Sequence, residues 1–504
     1  MPTRLAAAGR ILRWLGPTTT RGWFSSAVVS CVLVVLSAIA SGPLLRLEDT
    51  ARIGSASGLY FETAANWVLC HRYGQSTSGN AASRERVNLA EIRDRESYDR
   101  SVVQLIDAGT GSVAAYCNEP SSLTQVEELG MMLIDAAAIK LAPSMNLRTF
   151  ATTFAVSRLV LLWLFAWFLL QCGYSVPIVG ATTGCAVYLT MLLGGNMLYS
   201  TYPFILPVSL AGVALCGWSL ESKKWMPALA IAIGLWVVFL GNLRTSHYPI
   251  ALALAALFLI RVARSEPRAR TAATIVVCAL VILVSQRVLT LPFAELRTAH
   301  TISHPLVLGL ANPPNDLSRR EGIEWNDDNG VVLARRIDSG VVLSGPGYED
   351  ALWRYYVSLW KKYPKEMISI YVRKLFDATE SVFNFLSQRG ERPGTVPFWN
   401  SKSGRFLTLS AFSIRWLSRL LTLGVVLAGM ALIGWWLPPS FGVRKAWVLL
   451  AVGVAGMLAF LEAAVILGSV TLWYDGVLIF AATFAGLMVI EGALTYLTQR
   501  VLSL

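Results

Sequence analysis

Ten apolar runs punctuate the chain, near residues 24–45, 150–171, 174–196, 199–219, 227–243, 247–263, 271–291, 412–437, 446–468 and 472–497. At 1.5 Å of rise per residue, runs of this length are those needed to cross about 30 Å of hydrocarbon as a helix. The joints are short, polar and marked by Gly or Pro: "GGNMLYSTYP" between the third and fourth runs and "GNLRTSHYP" between the fifth and sixth. The pattern predicts an all-α polytopic membrane protein of about ten transmembrane helices. Two long polar regions, 46–149 and 292–411, lie between the runs.

Within the first region, 58–74 and 124–142 carry apolar residues at helical spacing with charges interleaved. They are too polar to span, so they are expected as helices lying along the membrane surface, with a Gly/Ser-rich loop over 75–122 between them. In the second region, "WRYYVSLWKKYPKEMISIYVRKLF" is amphipathic, aromatic and basic. It reads as a helix resting on the outer leaflet, or alternatively as one packed against the membrane domain.

Composition agrees with the pattern. Of the 504 residues, 55% are hydrophobic and only 15% charged, against about 25% charged in soluble domains; mean hydropathy is +0.54. The net charge of +12 raises nucleic acid as a partner, but its distribution answers otherwise. With the N-terminus placed inside, segments 1–23, 220–226, 261–270, 438–445 and 498–504 carry 13 Lys and Arg against Glu221 and Glu266 alone. The 46–149 region holds 10 basic and 13 acidic residues. Basic residues therefore gather on one side, the positive-inside bias, with both termini cytoplasmic and no nucleic-acid partner. The N-terminal run is too long for a signal-peptide core of 7–15 residues and is expected to be a retained first span.

Of seven cysteines, only Cys70 and Cys117 fall outside the runs or their edges. Both lie in the 46–149 region, where an oxidising compartment would permit a disulfide between them; two free thiols are the alternative. No Cys/His cluster with metal-ligand spacing occurs, so no metal and no cofactor are expected. P-loop, HExxH and nucleophile-elbow motifs are absent, and so are internal repeats. ATP-driven transport, common hydrolase sites and transporters built from inverted repeats are thereby disfavoured.

Candidate chemistry collects near the ends of the runs. Glu48 and Asp49 follow the first run by a few residues, flanked by Arg46 and Arg52. A carboxylate held at a headgroup boundary has its pKa raised by desolvation and lowered by a neighbouring guanidinium, which suits a general base; a polar helix-ending loop is the plain alternative. Arg244 and His247 occupy the turn between the fifth and sixth runs, able to face an anion or merely to snorkel. Arg158 sits inside the second run, where a charge is costly. It would reach a ligand or pair with an acid such as Asp135. Glu462, in the ninth run, reads as a structural polar contact. His300 and His304 stand at i and i+4, where imidazoles sharing a helix face can bind metal, but no third ligand in a recognised motif accompanies them; the other readings are a substrate-binding role or none. Asp327 and Asp328 in "IEWNDDNG" read as turn chemistry, with substrate contact as the functional alternative.

The order of one span, a long outer loop, six further spans, a second outer region and a few last spans resembles the GT-C superfamily of membrane glycosyltransferases, over residues 24–291. The "ED" at 48–49 looks like the acidic motif opening that family's first outer loop. The stretches 300–337 and 348–375 look like a segment of bacterial GT-C-type proteins. The resemblance implies a catalytic module over 24–291, an extracytoplasmic region over 292–411, a three-span module over 412–504 and a bacterial plasma membrane. It implies a polyprenyl-phosphate-linked sugar donor, a glycan, lipid or protein acceptor, Asp49 or Glu48 as base, and inversion at the anomeric carbon. Arg244, His247 and Arg158 would hold the departing phosphate. A lipid-linked glycan polymerase or ligase, a secondary transporter and a non-catalytic assembly partner stand as alternatives.

Overall fold

The computed structural model describes residues 22–41, 129–141, 147–196, 202–219, 226–290, 302–312, 314–342, 347–374, 423–436, 443–462 and 472–502, with a few isolated positions between 64 and 76 and at 121–122. Among these the fold is helical apart from one antiparallel pair, β1 (Gln75–Ser76) with β2 (Ser121–Ser122). Glu48, Asp49, Cys70, Cys117 and His300 lie outside the described residues.

The helices follow the apolar runs closely. In chain order they are α1 (Trp23–Ala40), α2 (Leu129–Leu141), α3 (Leu147–Gln171), α4 (Val176–Asn196), α5 (Tyr202–Ser219), α6 (Met226–Leu243), α7 (Tyr248–Ser265) and α8 (Arg268–Thr290). After the second polar region come α14 (Leu423–Trp436), α15 (Val443–Glu462) and α16 (Leu472–Leu502). Five stretches are long and apolar enough to cross a membrane: Trp23–Ala40, Thr152–Gln171, Met226–Leu243, Arg268–Leu289 and Arg444–Glu462. Shorter apolar stretches fill α4, α5 and α16. The outward faces of α1 and α8 are apolar, with Phe24, Leu36 and Ile39 on one and Val276, Leu283 and Val288 on the other exposed. Hydrocarbon accepts such a surface and water does not.

Cross-helix contacts assign every element to one of two ends. At the upper end Gly130 abuts Leu243, Asn242 Nδ2 donates to Gln286 Oε1 at 2.8 Å, Phe154 meets Phe204 edge-on, and Gly476 faces Leu206. At the lower end Trp23 packs on Trp167, Phe168 on Trp218, and Arg264 lies 4.2 Å from the centroid of Trp435. A clasp also closes there: Ser175 N and Oγ donate to Glu491 at 3.2 and 2.5 Å, with Lys445 Nζ 4.0 Å away. Successive helices therefore alternate in direction, as the short joints require.

α2 departs from expectation. It does not lie along a surface: Leu129, Met131, Met132, Ala136 and Ala138 are buried in the bundle's own core, and the helix packs on α6. Its sequence is apolar enough to bury on nearly all sides, and Gly130 permits the approach. A Cβ there would stand 2.7 Å from the backbone nitrogen of Leu243.

The second polar region builds a separate core. α9 (Ser303–Leu308), α10 (Asp316–Glu321), α11 (Asp327–Arg335), α12 (Tyr348–Lys362) and α13 (residues 364–374) enclose Val307, Leu310, Leu333, Ala351, Leu352 and Met367, all fully buried. The apolar face of α12, carrying Tyr348, Ala351, Leu352, Tyr355 and Leu359, is spent on this core. That face is thus packed against its own subdomain rather than on the membrane bundle.

Candidate functional site

At the upper end, α6 runs into a single 3₁₀ turn, Thr245–His247, before Pro249 opens α7. Arg244 N still donates to Leu240 O at 3.1 Å, and His247 N donates to Arg244 O at 3.0 Å. The turn is therefore backbone-satisfied, and the His247 side chain makes no cap. The imidazole is instead directed into the protein and fully buried. Its Nδ1 lies 3.2 Å from Ser246 Oγ and 3.6 Å from Glu462 Oε2 at the end of α15.

Facing a carboxylate, Nδ1 carries the proton of the neutral ring, which leaves Nε2 as an acceptor. Neither His247 Nε2 nor Glu462 Oε1 has a hydrogen-bond partner, and both are buried. Burial pushes the imidazole below its ordinary range; the Glu462 charge works against that and the Arg244 charge with it. Glu462 is thus a polar contact, and its partner is a residue that the sequence had marked for another purpose.

Arg158 on α3 is also buried. Its Nε donates to Phe154 O at 3.0 Å, and its guanidinium stands 5.3 Å from the centroid of Phe204, near the upper start of α5. Nη1 is buried without a partner. The Arg158–Asp135 pair that the sequence allowed is not formed. Asp135 on α2 is fully buried and neither carboxylate oxygen has a hydrogen-bond partner. Because α2 packs on α6, and α3 on α5 beside α6, these polar atoms belong to neighbouring helices of the upper bundle. Buried polar atoms are nearly always satisfied, so a set without partners calls for a ligand, an ion or ordered water.

The residues expected in the second region are placed differently. His304 is buried in the subdomain core, with Nδ1 2.7 Å from Tyr348 Oη. Gly330 of α11 packs against the same ring; a Cβ there would come within 3.1 Å of it. Asp327 and Asp328 open α11 instead of forming a free turn: Asn326 caps the helix, its Oδ1 accepting from Asn329 N at 2.7 Å. Acids in a first helical turn complement the helix dipole. Among the described residues no group of three or more His, Cys, Asp or Glu side chains is placed to hold a metal ion. Asp135, like Lys374 and Glu491, is a buried charged group to which the sequence reading gave no function of its own; its signal was a lone acid in the apolar run "LGMMLIDAAAIKL". Comparison with protein-family models, with curated proteins and with solved structures finds no match for this chain.

Proposed function

We propose that this chain is a multi-span membrane glycosyltransferase of GT-C type, with about ten spans and both termini cytoplasmic. It would transfer a sugar from a polyprenyl-phosphate donor to an acceptor on the extracytoplasmic face of a bacterial plasma membrane. The observation that carries the reading is Arg158, buried in the upper bundle with a guanidinium nitrogen, Nη1, that the protein leaves unsatisfied. A phosphate supplies the acceptor that this N–H lacks, and a cation in a low-dielectric site stabilises its charge as it departs. The lower end carries Arg264, Arg268, Arg270, Arg444 and Lys445, which the positive-inside bias assigns to the cytoplasm. The upper end then faces outward, toward a lipid-borne donor.

In the proposed step an acceptor hydroxyl attacks the anomeric carbon. The bond from that carbon to the phosphate oxygen breaks, and Asp49 or Glu48 takes the hydroxyl proton. Arg158 and Arg244 hold the phosphate. His247 contributes a donor at Nε2 only once protonated, a state that the phosphodiester's negative charge favours, increasingly as the second charge develops on the departing phosphate. Single displacement inverts the anomeric centre. A secondary transporter is the second reading, favoured by the buried Asp135 carboxylate, since transporters place charge within the bundle.

The test compares cell-envelope glycans in strains carrying Asp49→Asn, Glu48→Gln and Arg158→Gln, each at normal membrane abundance. The true base is expected to lower product formation by about 10²–10⁴-fold, and Arg158→Gln by a comparable amount. Unaltered glycans in both carboxylate variants remove the catalytic proposal. Loss of solute uptake with Asp135→Asn, glycans intact, favours the transporter.

A further inference from the structure

The 302–374 subdomain closes its core with one face of α12 and leaves a second face that, among the described residues, nothing covers. Trp353, 46% exposed, lies on that second face, and Trp360, seven residues on, stands half-buried at its edge, packed against the core on its other side. Trp360 stacks on Tyr371 of α13, with ring centroids 5.8 Å apart and planes 6° from parallel. Beside Tyr371, Ile368 and Val372 are 55% and 46% exposed. The stripe thus runs from one helix to the next, locked by the hydrogen bond between Tyr356 and Tyr371 hydroxyls at 2.6 Å.

Its borders are basic. Exposed Lys361 and Lys365 sit at the junction of the two helices, and residues 348–374 carry six basic against three acidic side chains. Two Trp edges, branched aliphatic tips and a cationic rim form the composition of a surface that enters the headgroup layer of a bilayer. A second copy of the chain would set these cations against each other. The tether argues for the same occupant. Only 11 residues lie between Thr290, at the end of α8, and Ile302; fully extended this stretch reaches on the order of 40 Å, so the subdomain stays near the membrane that α8 is fit to cross.

We propose that this stripe docks the subdomain onto an anionic leaflet, with Trp353, Trp360, Ile368 and Val372 in the headgroup region and Lys361 and Lys365 on lipid phosphates. The inference is independent of the sugar chemistry and requires only that the chain reside in a membrane.

The test places the photocrosslinker p-benzoylphenylalanine in the full-length chain at Trp353, at Ile368 and, as a control, at Arg319, which is exposed on α10. The protein is held in nanodiscs of mixed phosphatidylglycerol and phosphatidylcholine, and adducts are identified by mass spectrometry. Lipid adducts at 353 and 368 are expected in several-fold excess over 319. Lys361→Glu with Lys365→Glu should bring that excess down to the control level, since ~1 kcal/mol for each of two cations near an anionic surface is worth about 30-fold. Adducts chiefly to another segment, to a second copy, or at no more than the control level overturn the proposal. If one labelled protein fails to fold, the other position decides.

Discussion

Lys374 is a case in which burial alone sets chemistry. It ends α13 buried, with Nζ 5.4 Å from the Tyr371 ring centroid, and desolvation lowers its amine to about 7. The unfolded chain keeps this proton up to about 10.4. Between these values unfolding takes up a proton, so the subdomain gains stability as pH rises from about 7 toward 10 and has lost that gain below 7. Lys374→Met is expected to remove that slope and to stabilise the subdomain at pH 7 by on the order of 2 kcal/mol. Pulse proteolysis in urea across pH 6.5–9.5 measures both; an unchanged slope in the variant refutes the assignment. No sequence pattern announced this group, because nothing local distinguishes a buried lysine from a solvated one. The same limit governed His304. Its spacing from His300 was legible, but Tyr348, 44 residues on, decided that it faces a core. The "NDDNG" stretch was ambiguous for a different reason: side-chain oxygens that bond nearby backbone N–H groups serve turns and helix caps alike.

At the level of elements, the sequence located most bundle helices within a few residues, because continuous apolar runs bounded by Gly, Pro and charge leave few alternatives. It misjudged α2. Charges at Glu127 and Glu128 and at Lys140 bracket a helix whose interior is apolar but for Asp135, and their interleaving looked like surface exposure. What seats α2 in the bundle is the backbone contact at Gly130. Gly130→Ala should push α2 off Leu243, since the obstructing atom is main-chain nitrogen and cannot swing aside. A cost of about 1–3 kcal/mol is expected, with Gly130→Val costing more, read as lowered thermal stability in detergent. An unchanged melting temperature for both would mean that α2 does not depend on this contact. α12 shows the complementary limit. Its amphipathicity was legible, but an amphipathic helix does not say which apolar partner it meets, and α9 and α11 had first claim on that face.

For the whole molecule, alternation of the bundle helices joins residues far apart in sequence into two ends of different character. Alkaline phosphatase fused after Arg268 should be inactive and after Asn312 active, as expected if the lower end is cytoplasmic; activity on the same side for both would contradict the orientation. The upper end then brings His247 to Glu462 across more than two hundred residues, and leaves Arg158 and Asp135 unjoined. By itself the sequence determined that the chain is helical, where its apolar segments begin and end, and how its charge divides between their flanks. These follow from hydropathy and from the cost of placing charge in hydrocarbon, which act residue by residue. The tertiary structure alone decided which buried polar atoms are satisfied and which are not, that α2 enters the core, and that the second polar region folds around its own interior. Those outcomes depend on which faces meet, and packing is a relation between distant segments that no single window of sequence contains.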